Sequence, residues 1–185
     1  MPNVLVLGAS RGLGLGLAEE FARRGWKVIA TAREPAKADK LFALTMRVPG
    51  QVRVEKADID KTEDIVALRE RLKDITLDVL YVNAGVGGDK SKNAQSWTRD
   101  DVADVMMTNV FRSIGAAQIF ADRVRAGTGV VAFMSSRTGS IAFTRNRPEG
   151  EDLYRASKAA LNALSRSYQV RLADQSIRSE EHTSE

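Results

Sequence analysis

The sequence predicts an α/β domain built on a doubly wound parallel sheet with helices on both faces. Three observations carry that expectation. Short apolar, β-branched runs alternate with stretches of helical period along most of the chain, which is the pattern of successive βαβ units. A glycine-rich turn joins the first apolar run to the first helical stretch. The later glycine-rich or polar segments, 85–95 and 139–152, each follow an apolar run, at the end of the sheet where ligands of such folds bind.

Taken in order, residues 4–7 read as a buried strand, 13–24 as a helix, 27–31 as a strand and 36–46 as a helix. A strand at 52–55 leads into a helix at 62–73 with Thr62 as its N-cap, then a strand at 78–82. One long helix over 99–123 precedes a strand at 130–134, and an apolar-faced helix over 154–172 comes last. There is no repeat at solenoid period and no low-complexity linker, so residues 1–177 read as one domain.

At 185 residues the chain is long enough to bury a core. Apolar content of 43% and charged content of 28% exclude disorder, and no apolar run approaches the ~20 residues of a membrane span. The chain enters a strand pattern at Asn3 without the basic region or cleavage site of a secretory signal, and it has no cysteine, so no disulfide framework or thiolate metal site. A cytoplasmic location is the expectation. The net charge of +4 comes from 28 basic and 24 acidic residues intermixed, with no basic run and few aromatics, so no nucleic-acid partner is expected. The single histidine, His182, leaves no metal site and no Ser-His triad.

Two stretches carry chemistry. Tyr154 and Lys158 stand four apart on a helix, so phenol and ammonium point into the same space. A nearby cation favours the phenolate and lowers a pKa that is otherwise about 10, which makes a general acid/base; a packed ring beside a solvated charge is the plainer alternative. The turn Gly8-Ala9-Ser10-Arg11-Gly12-Leu13-Gly14 lets an anion approach backbone N–H groups at a helix N-terminus. Its glycine spacing departs from G-x-G-x-x-G, and an ordinary tight strand-to-helix turn would also fit.

G-x-x-x-G-x-G at 8–14, followed by Asn83-Ala84-Gly85, Asn109, Ser136 and Tyr154-x-x-x-Lys158, resembles the short-chain dehydrogenase/reductase family over residues 3–175. The phrases GASRGLGLGLAEEF, VIATAR, MSSRTGSIA and YRASKAALN resemble its C-factor and Sniffer-type carbonyl reductase branch. Leu7 stands where the family often has threonine. The resemblance implies a Rossmann-type fold and an enzyme that reduces an aldehyde or ketone to an alcohol, or runs the reverse, on a small-molecule substrate. Tyr154 would give the proton to the carbonyl oxygen as hydride arrives from the nicotinamide, Lys158 would lower its pKa and hold the ribose, and Ser136 would bond the same oxygen. Ser135 is an adjacent competitor, and a strand-end hydroxyl capping a loop is the simpler alternative for either serine. The segment between Ser136 and Tyr154 is longer than is usual in the family, and its TRNRPEGED portion would shape specificity.

Asn109 shares an apolar helix face with Val102, Val105, Met106 and Val110, where a buried amide must be hydrogen-bonded. It is either a satisfied core asparagine or, as the family implies, the support of a helix irregularity linked to the lysine. Cofactor contacts are implied for Gly8, Ser10, Arg11, Gly12, Leu13, Gly14, Arg33, Asn83, Ala84 and Gly85, and for Asp58 and Ile59 beside adenine; without the family, Asp58 and Asp60 read as a turn or helix cap. The end of the second strand reads Thr31-Ala32-Arg33, with Arg11 in the glycine turn. Two guanidiniums suit a 2′-phosphate dianion, so NADP(H) is expected over NAD(H), with Glu34 the competing feature. A homodimer through the long helices is implied by the family, with the small residues Gly115, Ala116, Ala159, Ala160 and Ala163 either meeting a partner or packing on the sheet.

The family fold continues past the last helix into further strands. This chain instead ends SIRSEEHTSE, which has no strand period and reads as a non-native polar tail over 178–185. The expectation is a sheet lacking the last strands of the family fold, with the fifth strand left bare, and either weakened activity or an inactive fragment. A nucleotide-binding regulatory protein without turnover is the alternative from another class.

Overall fold

All five strands expected from the sequence form. The computed structural model describes residues 1–143, 151–173 and 178–184. In it β1 (Asn3–Leu7), β2 (Lys27–Ala32), β3 (Val52–Lys56), β4 (Val79–Val82) and β5 (Val130–Ser136) are joined by α1 (Gly12–Arg23), α2 (Asp39–Arg47), α3 (Thr62–Arg71), α4 (Arg99–Met106) and α5 (Ser113–Phe120). The helix α6 (Asp152–Ala173) and a further strand β6 (Arg178–Ser184) follow. The strands are parallel in the order β3-β2-β1-β4-β5-β6. The chain winds outward from β1 to β3 and then returns to lay β4 on the other side of β1. That reversal opens a crevice beyond the carboxyl ends of β1 and β4.

The apolar run of β1 is explained by burial on both faces, as a central parallel strand requires. Side chains alternate along it. Leu5 and Leu7 join Leu80, Val82, Val131 and Phe133 under Leu68, Ala117, Phe120 and Leu161, so α3, α5 and α6 cover one face. Val4 and Val6 join Val28, Ala30 and Ala132 under Ala18, Ala22, Leu41 and Leu44, so α1 and α2 cover the other.

Four details differ from the sequence reading. The helix expected over 99–123 is interrupted: α4 and α5 are separated by a π-helical turn, Met107–Arg112, and a 3-10 turn, Ala121–Arg123, ends the run. Its start is fixed by a capping box in which the Thr98 hydroxyl accepts from the Asp101 N–H at 3.1 Å and the Asp101 carboxylate accepts from the Thr98 N–H at 2.8 Å. Thr62 is the first residue of α3 rather than its N-cap, which is Lys61; the Thr62 hydroxyl is engaged instead by Arg112. The helix expected from residue 36 begins at Asp39, after a 3-10 turn at Pro35–Lys37.

The fourth difference is β6. The segment expected to be a tail lies parallel to β5, from Val130 opposite Arg178 to Ser136 opposite Ser184. The fifth strand is therefore not a bare edge. The segment shows no apolar alternation, but pairing with an open edge is made by backbone N–H and C=O groups, which every residue but proline has in full. The 144–150 part of the insertion expected to shape specificity lies outside the described residues.

Phe133 on β5 is fully buried and meets the ring of Tyr168 on α6 edge-on, with centroids 6.4 Å apart. Phe133→Ala should lower unfolding free energy by about 3–5 kcal/mol in denaturant titrations; a loss below about 1 kcal/mol would contradict this packing.

Candidate active site

The glycine turn is shaped by close backbone approach. Gly8 has φ +86°, and a Cβ placed there would lie 2.8 Å from the Ala84 Cα. A Cβ on Gly14 would lie 2.0 Å from the Gly8 carbonyl oxygen and 2.5 Å from the Asn83 amide nitrogen. The Asn83 amide donates to the Gly8 carbonyl at 2.7 Å, so the end of β4 grips the turn that follows β1. The turn is also tied to β2, since the Gly8 N–H donates to the Thr31 hydroxyl at 2.9 Å and the Ala9 N–H to the Thr31 carbonyl at 2.8 Å. Thr31 thus supplies from β2 a hydroxyl to the turn whose preceding residue is Leu7. The first turn of α1 contains no acidic residue, so the positive end of its dipole is left uncompensated.

A cleft of about 500 Å³ runs from this turn to α6. Gly8, Ser10, Arg11, Gly12, Leu13 and Arg33 line one end, Asn83, Ala84 and Gly85 the middle, and Tyr154 and Lys158 the other end. Gly14 lies beneath the turn, buried against it. A smaller cavity of about 70 Å³ shares Gly8, Ser10 and Arg33 with the cleft and is lined by Asp58 and Ile59. The Asp58 carboxylate accepts from the Asp60 N–H at 3.2 Å, the local turn bond of the turn-cap alternative, and Asp60 accepts from the Thr108 hydroxyl at 2.7 Å. Arg11 and Arg33 are exposed, and neither forms an ion pair among the described residues. The Glu34 carboxylate pairs with Lys37 at 2.5 Å, and that lysine, with a smaller contribution from the charge of Arg33, lowers its pKa.

On α6, Tyr154 and Lys158 share a face as their spacing requires, with the Lys158 Nζ 5.6 Å from the centroid of the Tyr154 ring. Lys158 is buried at 3% exposure and donates to the Met134 carbonyl at 2.7 Å. Burial disfavours its charged form and brings it from the ordinary 10.5 to about 8. The lowering of the Tyr154 pKa expected from Lys158 is not found. The phenol is pushed up, chiefly by burial, while a hydrogen bond with Ser136 and the charge of Lys90 act the other way and Glu151 adds to the rise. The physical reason is that desolvating a phenolate outweighs an ammonium that is itself weakened by burial and bonded to Met134.

The two serines at the end of β5 separate as strand alternation demands. Ser136 bonds to Tyr154 and to the Thr138 hydroxyl at 2.8 Å, whereas the Ser135 hydroxyl is bonded to Asn162 on α6. Asn109 lies on the π-helical turn and is fully buried. Its amide oxygen accepts from the Val86 N–H at 2.8 Å, and its amide nitrogen donates to the Val86 carbonyl at 2.9 Å and to the Ser157 hydroxyl at 2.9 Å. The Ser157 hydroxyl in turn donates to the Tyr154 carbonyl at 2.6 Å. Asn109 is therefore a satisfied core amide and also the link between the segment after β4 and the turn of α6 that carries Tyr154. A Cβ on Gly85 would lie 3.0 Å from the Asn109 amide oxygen; glycine keeps that contact open.

Sequence reasoning missed Ser157, Val86 and a Lys90–Glu151 ion pair at 2.6 Å. Ser157 was within reach as a hydroxyl beside Lys158 on the buried helix face. The other two had no signal, since backbone groups of Val86 and charges 61 residues apart leave no mark on local pattern.

The low value of Lys158 sets a pH dependence. Below about pH 8 both folded and unfolded chains hold its proton and the burial penalty is complete; between about 8 and 10.5 the folded chain releases the proton while the unfolded chain keeps it, so the folded state gains. Lys158→Met should therefore melt above the parent at pH 7, and the difference should shrink as pH rises through 8–10 in thermal scans. A difference independent of pH would contradict a buried, destabilised ammonium.

With this geometry in view, comparison with known proteins is specific. Residues 2–181 match the family model for short chain dehydrogenase. A carbonyl reductase from Pseudomonas aeruginosa PAO1, solved in complex with NADP, is 36% identical with a TM-score of 0.92, over 98% of this chain and 81% of that one. A short-chain dehydrogenase/reductase from Burkholderia multivorans with bound NADP is 38% identical with a TM-score of 0.89, over 96% of this chain and 76% of that one. Human 17-beta-hydroxysteroid dehydrogenase type 1 is 32% identical over 176 residues, 91% of this chain and 52% of that protein. The chain spans from about half to about two thirds of the length of the curated relatives it matches, and no helix among the described residues is long and apolar enough to cross a membrane. Matched across nearly its whole length by the family model and by solved structures, the chain belongs to the short-chain dehydrogenase family.

Proposed function

We propose that this chain is an NADP(H)-dependent oxidoreductase that reduces the carbonyl of an aldehyde or ketone to the alcohol, or carries out the reverse. The observation that carries the proposal is the placement of the Tyr154 phenol, bonded to Ser136 and stacked beside Lys158, at one end of a cleft whose other end is the glycine turn. Similarity to a carbonyl reductase solved with NADP supports the reading.

When bound, the nicotinamide cofactor supplies or accepts the hydride. The residues of this chain supply the rest. Burial raises the Tyr154 phenol above its ordinary value, so it holds its proton at neutral pH, as suits a group that must donate one to a carbonyl oxygen. Ser136 donates a hydrogen bond to the same oxygen and steadies charge developing on it. Lys158 stands between Tyr154 and the middle of the cleft, where it would hold the nicotinamide ribose. The crevice fits a dinucleotide: Gly8 and Gly14 leave no room for side chains of their own, the first turn of α1 has no acidic residue, and the small cavity at Asp58 and Ile59 would take adenine. Arg11 and Arg33, both exposed at the glycine-turn end of the cleft, suit a 2′-phosphate and favour NADP(H) over NAD(H). The same reading extends to a homodimer through the long helices, where Met107 and Phe111 are exposed.

Reduction of a panel of simple aldehydes and ketones with NADPH tests the proposal, together with fluorescence titration of NADPH and NADH. Tyr154→Phe should lower kcat/KM by roughly 10²–10⁴ while NADPH binding stays within a few fold. Arg33→Glu should weaken NADPH binding about tenfold or more and leave NADH binding nearly unchanged. Tight cofactor binding with no turnover of any carbonyl would favour a regulatory nucleotide-binding role, and an NADH preference of tenfold or more would overturn the cofactor assignment.

A further inference from the structure

The cleft contains a charge pair that the reaction outlined above does not use. Lys90 stands in the segment after β4, and Glu151 immediately precedes α6. Their Nζ and Oε1 atoms meet at 2.6 Å across 61 residues of sequence. Both line the same cleft as Tyr154 and Lys158. Lys90 and Glu151 each act electrostatically on the Tyr154 phenol, and the phenol acts on Lys90 in return, so the pair lies at the reacting end and not at the glycine turn.

The cations of the cleft divide by position. Arg11 and Arg33 sit with the glycine turn, and Lys158 is buried against the Met134 carbonyl. Lys90 is different. Its side chain is 66% exposed and that of Glu151 is 28% exposed. An ion pair of this kind contributes only about 0–1 kcal/mol, because a flexible lysine gains little from holding one partner in water. Exchanging one carboxylate for another is therefore inexpensive, and the ammonium is a point charge that accepts an anion from many directions.

We propose that Lys90 recognises an anionic group, a carboxylate or phosphate, on the carbonyl substrate, and that Glu151 occupies the Lys90 ammonium until that group replaces it. The substrate class is then carbonyl compounds that carry a negative charge. Glu151 is a positioning residue: it holds Lys90 over the cleft, and its own charge opposes any anion that fails to engage the lysine. The inference rests on the carbonyl-reductase reading of the same cleft.

The test compares 4-carboxybenzaldehyde with methyl 4-formylbenzoate, which share a ring and an aldehyde and differ in charge. The parent should prefer the carboxylate by about tenfold in kcat/KM, mainly through KM. Lys90→Gln should bring that ratio to about one, and Glu151→Gln should raise it, since the lysine loses its competitor. Opposite movements of one ratio cannot come from general damage to the fold. Equal treatment of the two aldehydes by the parent, or movement of the ratio in the same direction in both variants, would overturn the proposal. If neither aldehyde is reduced, the carbonyl-reductase reading fails separately, and binding of benzoate against benzamide by titration calorimetry decides the role of Lys90: benzoate affinity must fall in Lys90→Gln and rise in Glu151→Gln, and no change in either would overturn it.

Discussion

The arrangement of the site depends on the amide of Asn109. Three segments with no close relation in sequence meet at this side chain: the π-helical turn between α4 and α5, the backbone after β4, and the helix α6. A fully buried amide with unsatisfied groups would destabilise the fold by several kcal/mol. The π turn resolves this by carrying Asn109 to where Val86 can use both ends of the amide and Ser157 can accept from it. An unbroken α-helix over the same residues would keep the amide on the apolar face with Val105 and Val110. The irregularity is thus the local cost of a link that orders the floor of the cleft beside Lys158.

Charge in the cleft is governed by burial first and by partners second. Lys158 falls toward neutrality and Tyr154 rises away from ionisation for one reason, the loss of water around each. Neighbouring charges then adjust the phenol in opposing directions from Lys90 and Glu151. At the other end the logic reverses. Arg11 and Arg33 are exposed and without an ion-pair partner among the described residues, an arrangement suited to a ligand that brings its own negative charge.

Most of this architecture could be read from the residues. The apolar run at Val4–Leu7, the glycines at 8 and 14 and the four-residue step from Tyr154 to Lys158 are local signals, and each is explained by a contact within the fold. Of the adjacent serines, Ser136 bonds to Tyr154 and Ser135 to Asn162, because strand alternation points them to opposite faces. What escaped was of two kinds. The helical period alone hid the π turn, which only the family resemblance placed at Asn109, and the engagement of Thr62, since both depend on tertiary partners, Val86 and Arg112. The strand β6 was missed because its polar residues pair through the backbone, and the direction of the Tyr154 shift was missed because burial cannot be weighed from spacing alone.

The most direct measurement is amide hydrogen exchange at Val86, whose N–H is held by the Asn109 oxygen at 2.8 Å. In the parent this amide should be protected although it lies outside any strand or helix, and Asn109→Ala should speed its exchange by about tenfold to a hundredfold while amides of β1 and β5 stay protected. Equal exchange at Val86 in parent and variant would contradict the claim that this side chain holds the site together.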